Sequence, residues 1–444
     1  MLTPADEPHL AAVVADAAAR KTPLAIAGSG TRSGLGRPMQ TATTVSTLLL
    51  TGVTLYEPAE LVLSARAGTP LREIETLLAG NHQRLAFEPM DHRGIYGSSG
   101  TPTIGAVAAA NLSGPRRIQA GAARDNLIGL RAVTGDGKVI KAGGRVMKNV
   151  AGYDLVKFLA GSLGTLAVLS EVTFKVQPEP ETEATLAITG LSDKQAVAAM
   201  SAALGSPFSV TGAAHAPADE GEPARTYLRL DGFEASVAHR AESLRAALSD
   251  FGPADLLGPA TSASLWLTIL DVDGLSAPLG TPIWRVSVRP GDSPQVVAAA
   301  QAAFPARVLY DWGGGLIWIA GGEGSDAGAA VIRAFFGSEG ASQLIHATDA
   351  EIAAAALAQL REILGTLPDP AGDLTTVRRC PRSLPQYEVG HLERMAQLAL
   401  RMEDVGYLTL LGNSYHGVGL PDLIRDARTA TRSLIEQIST ARIR

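Results

Sequence analysis

Over roughly the first 178 residues, helix-like and strand-like apolar spacings take turns, and the connections between them are rich in glycine. The stretch PHLAAVVADAAAR (8 to 20) spaces its apolar residues as one face of a helix, and the short run PLAIA then reads as a strand that empties into the loop IAGSGTRSGLG (26 to 36). Weaker strands follow as far as LVLSARAGTP, and LREIETLLAG predicts a short amphipathic helix ended by Gly80. LIGLRAVTG and KVIKAGG pair as strands across the hairpin signal Gly135-Asp136-Gly137. YDLVKFLAG is helical in pattern, and TLAVLSEVTFKV is a long strand that stops at Pro178. QPEPETE, dense in proline and glutamate, reads as a linker.

Beyond the linker the order strand, helix, strand, strand, helix appears in ATLAITG, DKQAVAAMSAAL, FSVTGAAH, TYLRLDG and ASVAHRAESLRAAL. It then approximately repeats in PIWRVSVRP, SPQVVAAAQAAF, RVLYDWGGGLIWIAG and DAGAAVIRAFF. A split βαβ arrangement used twice predicts a ferredoxin-like α+β domain over 183 to 346. From about residue 347 the pattern changes to a mostly helical segment with a Pro-rich turn. The expected organisation is three parts: 1 to 178, 183 to 346 and 347 to 444, in the α+β class.

Composition adds exclusions. The 444 residues exceed what one core usually organises, and a formal net charge of -6 lacks the clustered positive charge that non-specific nucleic-acid binding needs. No apolar run is long enough to span a bilayer, and Asp6 and Glu7 stand where a signal peptide would be basic. The expected location is the cytoplasm, with the inner face of the cytoplasmic membrane reached only through a complex. Cys380 is the single cysteine, so no internal disulfide or cysteine-ligated cluster is available, and any iron-sulfur centre belongs to a partner.

The opening loop fits neither common phosphate-binding pattern. Gly28, Gly30 and Gly34 lack the Rossmann spacing, and GRPMQTATTVST opposes the helix that pattern requires. The Gly-Lys-Ser/Thr of a Walker loop is absent. A glycine, serine and threonine loop can still hold phosphate through successive backbone N–H groups and hydroxyls, or it can be an ordinary turn.

Further glycine-rich segments follow: Pro102-Thr103-Ile104-Gly105 leading to Asn111-Leu112-Ser113-Gly114, then Gly121 with Arg124-Asp125, then GRVMKNVAGYDL and Gly161-Ser162-Leu163-Gly164-Thr165. In this order the chain resembles the FAD-binding domain of the p-cresol methylhydroxylase and vanillyl-alcohol oxidase type. Over about 1 to 345 it is similar to the FAD-binding E-type subunits of bacterial glycolate oxidase, with FEP, LSGPRR and YDWGGGLIWIA among the matching words. The resemblance implies FAD as cofactor. Gly28, Ser29, Gly30, Thr31, Arg32, Ser33 and Gly34 would wrap its pyrophosphate, and Thr103, Ile104 and Gly105 would open a helix whose amides face it. Asn111, Ser113 and Gly114 would lie towards the flavin ring or ribityl chain, and Asp125, Gly161, Ser162, Gly164, Thr165 and Val168 would close the adenosine side. Some members of the fold attach FAD through a histidine in the first loop; this loop has none, so the expected cofactor is dissociable.

A family of this kind oxidises small 2-hydroxy acids, which needs a proton acceptor and a cation for the carboxylate. Asp91, His92, Arg116, Arg117 and Lys148 have the right chemistry near the cofactor motifs, but the plainer reading is the stronger for each: MDHRG reads as a solvated loop and the two arginines as a docking surface for a neighbouring subunit. No catalytic residue can be assigned. The resemblance implies partnership with a D-type flavoprotein subunit and an iron-sulfur subunit. The His-rich metal site of the D-type subunits has no recognisable counterpart here, so a relay or auxiliary flavin within a complex is expected. The end of the chain, VRRCPRSLPQYEVGHLERM and YLTLLGNSYHGVGLPDLIRDARTA, instead resembles the C-terminal end of protoporphyrinogen oxidase, where Gly417, Val418, Gly419 and Pro421 would approach FAD. A natural fusion, a chimera and an assembly artefact are equally compatible with one chain. A porphyrinogen-type oxidase and an assembly subunit with structural FAD therefore stand as alternatives to a glycolate oxidase subunit.

Overall fold

The computed structural model describes residues 1–35, 41, 43–144, 154–219, 221–276 and 278–321, together with 348, 351 and 354. The chain divides into two compact units, Met1–Ala327 and Gly328–Arg444, and the first holds nearly all of the described residues. The tail motifs, Cys380, DAGAAVIRAFF and Lys148 lie outside the described residues.

The chain opens with α1 (Glu7–Ala19), started by Asp6, whose carboxylate accepts the His9 N–H at 2.8 Å. Strands β1 (Leu24–Ala27) and β2 (Thr43–Ser46) form a parallel pair. Next come β3 (Val53–Glu57), β4 (Val62–Arg66), α2 (Leu71–Ala79) and β5 (Gln83–Arg84). The short helices α3 (Arg93–Tyr96), α4 (Ile104–Ala110), α5 (Arg117–Ala120) and α6 (Ala123–Asn126) lead into the hairpin β6 (Leu127–Thr134) and β7 (Val139–Gly143). After α7 (Leu155–Leu159), β8 (Ala167–Lys175) returns through the middle of a five-stranded antiparallel sheet of order β3-β4-β8-β6-β7.

Its core follows from periodicity. Leu71, Ile74 and Leu78 of α2 and Ile104, Val107 and Ala108 of α4 pack with Leu63, Ala65, Leu130, Val172 and Phe174 of the strands. A smaller cluster of Leu10, Val14, Val45, Leu50, Val133 and Val168 attaches α1 and the β1-β2 pair.

The linker expectation is corrected to almost nothing. Gln177 and Pro178 form β9 (Gln177–Pro178), paired with β5, and the Glu179 N–H donates to the His82 carbonyl at 2.8 Å. Strand β10 (Thr182–Thr189) begins a few residues later.

From there the elements are α8 (Asp193–Leu204), β11 (Gly212–Ala216), β12 (Arg225–Gly232), α9 (Glu234–Ala247), β13 (Ala254–Leu257), α10 (Pro259–Asp271), β14 (Ile283–Ser287), α11 (Ser293–Ala303), β15 (Ala306–Asp311) and β16 (Leu316–Gly321). The order β13-β10-β12-β11 is that of a split βαβ motif, and β15-β16-β14 repeats its first three strands. The repeats do not stand apart: β11 and β15 pair through His215 and Tyr310, giving one seven-stranded sheet. Strand β13 and helix α10 had no sequence expectation, because ADLL is short and PATSASLWLTILD starts on proline in a loop-like composition.

Alternation decides what the two faces of this sheet do. Leu186, Ile188, Leu228, Leu230, Val308, Tyr310, Ile317 and Ile319 pack with apolar residues of α8, α9 and α11. Strand neighbours of these residues point the other way, and there Leu316, Trp318 and Ala320 pack with Met90, which belongs to the first half of the chain.

Candidate functional site

Three of the glycine-bearing segments converge. A Cβ on Gly28 would stand 2.5 Å from the Thr103 Oγ1, one on Gly164 would stand 3.0 Å from the Ile26 Cβ, and one on Gly161 would stand 3.3 Å from the Asn111 Cβ. The first loop, the start of α4 and the turn before β8 therefore touch, and glycine is what lets them approach. Gly161 and Gly164 also have φ of 81° and 78°, so the turn needs them twice over.

Within the first loop the Ser29 hydroxyl donates to the Thr101 carbonyl at 2.6 Å, and the Gly28 carbonyl accepts from the Ser46 hydroxyl at 2.8 Å. Thr31 is buried and its carbonyl accepts from the Ser98 hydroxyl at 3.2 Å. A turn closes where the Ser33 N–H donates to the Gly30 carbonyl at 3.3 Å. Gly34 lies under the Tyr96 ring, 2.7 Å from where its Cβ would be. Gly30, with φ of 81°, has no atom within 4 Å of that position, so the loop is open above it.

Several of the expected site residues have partners within the fold. The N–H groups of Ile104 and Gly105 donate to the carbonyls of Thr69 and Ala67 at 3.0 and 2.9 Å, so they are engaged in fastening α4 to the chain just after β4. The Asn111 amide oxygen accepts from the Arg124 N–H at 2.8 Å, and the Ser113 hydroxyl accepts from the Ala123 N–H at 2.9 Å. The Asp125 carboxylate accepts the Ala122 N–H at 2.8 Å and so caps α6. Gly114 is wedged against Glu88 and Leu270, with its N–H on the Phe87 carbonyl. The Thr165 hydroxyl closes its own turn on the Ser162 carbonyl, and the Val168 side chain belongs to the α1 core cluster.

The segment MDHRG is not a solvated loop: Met90 and His92 are buried, and the Arg32 guanidinium donates to the Met90 carbonyl at 3.2 Å. His92 is stacked with Tyr96, and its Nδ1 is buried without a hydrogen-bond partner. Burial first, then the Arg32 charge, push its imidazole down to about 4. Arg116 is not a docking surface either, since its guanidinium is 3% exposed and paired with Asp231. Beside it Arg229 makes a two-pronged pair with Glu88, both contacts at 2.9 Å, and Arg84 reaches Asp231 at 3.4 Å. Arg117 is exposed and lies over the Trp312 ring. Sequence reasoning missed Glu88, Arg229, Asp231, Arg285 and Asp311; for Arg229, Asp231 and Arg285 the polar positions of the alternating strands YLRLD and PIWRVS were the local signal.

The donor set fits FAD. The Thr103 Oγ1, Ser162 Oγ and Arg32 Nε are buried without partners beside the open loop, and Gly28 and Gly34 leave no room for side chains. Gly30, Thr103, Ser162 and Arg32 could hold the anionic part of such a cofactor. Among the described residues, no group of three His, Cys, Asp or Glu side chains could hold a metal ion, and no helix is long and apolar enough to cross a membrane.

Comparison with known proteins agrees with this geometry. Residues 1–143 match the FAD binding domain family. Among solved structures, p-cresol methylhydroxylase with substrate bound shares the fold over 72% of this chain and 74% of its own, with a TM-score of 0.58 at 11% identity. Alkyldihydroxyacetonephosphate synthase does so over 72% and 67%, with a TM-score of 0.55 at 17% identity. The chain is thus a flavoprotein with an FAD-binding domain of the p-cresol methylhydroxylase type, and its cofactor is FAD. More specifically, it is 35% identical over 299 residues to glycolate oxidase subunit GlcE of Escherichia coli, covering 67% of this chain and 76% of that one, and it belongs to the family of that subunit. It is also 44% identical over 84 residues to glycolate oxidase subunit GlcD of Bacillus subtilis, 19% of this chain and 18% of the relative. A relative of another kind, coproporphyrinogen III oxidase of Staphylococcus aureus, is 31% identical over 112 residues, 25% of this chain and 24% of its own.

Proposed function

We propose that the chain is the FAD-binding subunit of a glycolate oxidase complex, working beside a D-type flavoprotein and an iron-sulfur subunit in the oxidation of glycolate to glyoxylate. The observation that carries this reading is the similarity to GlcE over two thirds of the chain. The division of labour is FAD binding in 1 to 178, a cap in 183 to 346, and a separate C-terminal segment in 347 to 444. When bound, FAD supplies a two-electron acceptor for carbon bearing a hydroxyl group. The first loop's role is to bring unencumbered backbone and the Thr103 and Ser162 hydroxyls to an anionic group, with Arg32 adding charge. His92, held uncharged at neutral pH by burial, offers a neutral hydrogen-bonding ring beside the loop.

The expected result is that acid precipitation strips the yellow colour from the protein and that Gly28→Val and Gly30→Val empty the site. Co-expression with the two partners is expected to raise glycolate:dye activity by about 10²–10⁴-fold, the usual contribution of a positioned catalytic group. Colour that survives precipitation, or full turnover by the isolated chain, rejects the reading. The similarity to coproporphyrinogen III oxidase supports a second one, a porphyrinogen oxidase, and flavin bleaching by glycolate, D-lactate and protoporphyrinogen in turn separates the two.

A further inference from the structure

One face of the seven-stranded sheet brings an arginine of β14 and an arginine of α5 to the same indole ring, and no described residue forms an ion pair with either. Arg285 of β14 stands directly across from Trp318 of β16, on the face that packs against Met90 and Trp312. Its guanidinium carbon lies 5.0 Å from the centroid of the Trp312 ring and 5.7 Å from that of Trp318. Arg117, which follows the Ser113-Gly114 turn, lies 4.2 Å from the same Trp312 ring. Two cations therefore share one indole, a favourable contact for each and a repulsive arrangement for the pair.

Trp312 is fixed for this position. Its indole N–H donates to the Gly114 carbonyl at 3.0 Å, its own φ is 53°, and Gly313 and Gly314 continue in the left-handed region at 66° and 95°. A bulky residue held at such a φ is strained and is kept there by its surroundings.

Neither Arg117 nor Arg285 has a hydrogen bond or a carboxylate partner among the described residues, although Arg116, one residue away, is buried on Asp231. Asp311 of β15 is a counter-charge on that sheet face whose field reaches Arg285 without forming an ion pair. It is spent on the Trp312 N–H at 2.7 Å, and burial pushes its carboxyl up to about 7. Packing first, and then the charge of Arg117, hold the Arg285 guanidinium below its ordinary value. Met90, two residues before His92, packs with Trp312 and Trp318, and buried His92, whose Nδ1 has no hydrogen-bond partner, lies within the fields of Arg32 and Arg285.

We infer that Arg117 and Arg285, mounted on Trp312 next to His92, form a binding site for the carboxylate of a small 2-hydroxy or 2-oxo acid. Planar guanidinium forks suit a carboxylate, and an oxyanion reached by both offsets the repulsion between Arg117 and Arg285. Arg117 and Arg285 bind the acid, and His92 offers a hydrogen-bonding atom to the oxygen on its neighbouring carbon. The site rests on the reading of the chain as a glycolate oxidase subunit.

The test is calorimetric titration of the FAD-loaded full chain with oxalate, a dicarboxylate that cannot be oxidised in the same way, and with inorganic phosphate as a second arm. Arg117→Leu and Arg285→Leu are each expected to weaken oxalate about 10- to 100-fold at unchanged FAD content, the worth of one charge-assisted hydrogen bond. The double variant is expected to show no binding. Arg289→Leu, whose partner is the exposed Asp292, is expected to behave as the parent does. If the leucine variants do not fold, Arg285→Lys carries the test, with roughly tenfold weakening expected from loss of the fork. The site is rejected if the parent does not bind oxalate, if the double variant or Arg285→Lys binds it as the parent does, or if phosphate binds more tightly than oxalate. It is also rejected if the variants lose FAD, because the guanidiniums then serve the cofactor. Oxalate binding that depends on both arginines in a protein whose flavin glycolate does not bleach even when the two partner subunits are co-expressed keeps the site and rejects the functional reading; the converse result does the opposite.

Discussion

Arg116 and Arg117 follow one another in the chain, yet one guanidinium is buried on Asp231 and the other lies exposed on the Trp312 ring. Around Arg116 every charge has an opposite within reach: Arg229 with Glu88, Arg84 with Asp231. Around Arg117 the nearest cation is another arginine. The first group joins segments from the two halves of the described fold and behaves as a lock, in which Arg84, Arg116 and Arg229 share the carboxylates of Asp231 and Glu88. The second rests on an aromatic ring and a strained turn, with no ion-pair partner among the described residues. Identical side chains thus divide into structure and recognition according to whether the sheet supplies a carboxylate opposite them.

The comparison breaks most visibly at Glu88. Glu88→Gln removes the counter-charge of Arg229, itself almost fully buried, and is expected to cost about 3–5 kcal/mol in urea or thermal unfolding. Replacing Glu88 and Arg229 together by apolar residues is expected to cost less than Glu88→Gln alone, because no charge is then stranded.

His92 gives the next largest effect, and it depends on pH. Its ordinary value of 6.5 falls to about 4 in the fold, so between these values the unfolded chain takes up a proton that the native one refuses. The native state therefore loses stability as pH falls from 6.5 towards 4, by about 3 kcal/mol at the lower end. Asp311, pushed up from 3.8 to about 7, has the opposite slope: its native form keeps a proton that the unfolded chain has lost, so its share of stability declines as pH rises through that range. In parallel melts, His92→Gln is expected to gain on the parent steadily as pH is lowered from 6.5 to 4.5. A constant difference across that range contradicts a buried neutral imidazole.

Trp312→Phe sharpens the comparison on its open side. It removes the hydrogen bond to the Gly114 carbonyl and weakens the stacking of both arginines, so about 1–2 kcal/mol of stability is expected to go, measured by the same melts. Arg117→Leu and Arg285→Leu are expected to move stability by less than about 1 kcal/mol, since neither breaks an ion pair. A large loss at either position would move that arginine from the open group to the lock.

Much of the fold was legible because it is written in near neighbours. The period of LREIETLLAG, the Gly-Asp-Gly turn and the alternation in the strands are local properties, and the elements at 71–79, 127–143 and 182–232 follow them. The first glycine loop was legible for the same reason, since residues within a few positions of one another dictate where backbone is left bare. Strand β13 and helix α10 were not, because ADLL is too short to show a period and gains its stability from pairing with β10.

By itself, the sequence determined the glycine-rich framework, the family and the cofactor class, because ordered motifs survive being read one segment at a time. Tertiary structure alone decided that the amides opening α4 are engaged by the chain just after β4, that MDHRG is buried, and that Arg116 and Arg117 have opposite fates. The physical reason is range. Hydrophobic periodicity is set within a turn or two of chain, whereas the state of a charge is set by whatever group lies opposite it, and here those groups come from strands more than a hundred residues away.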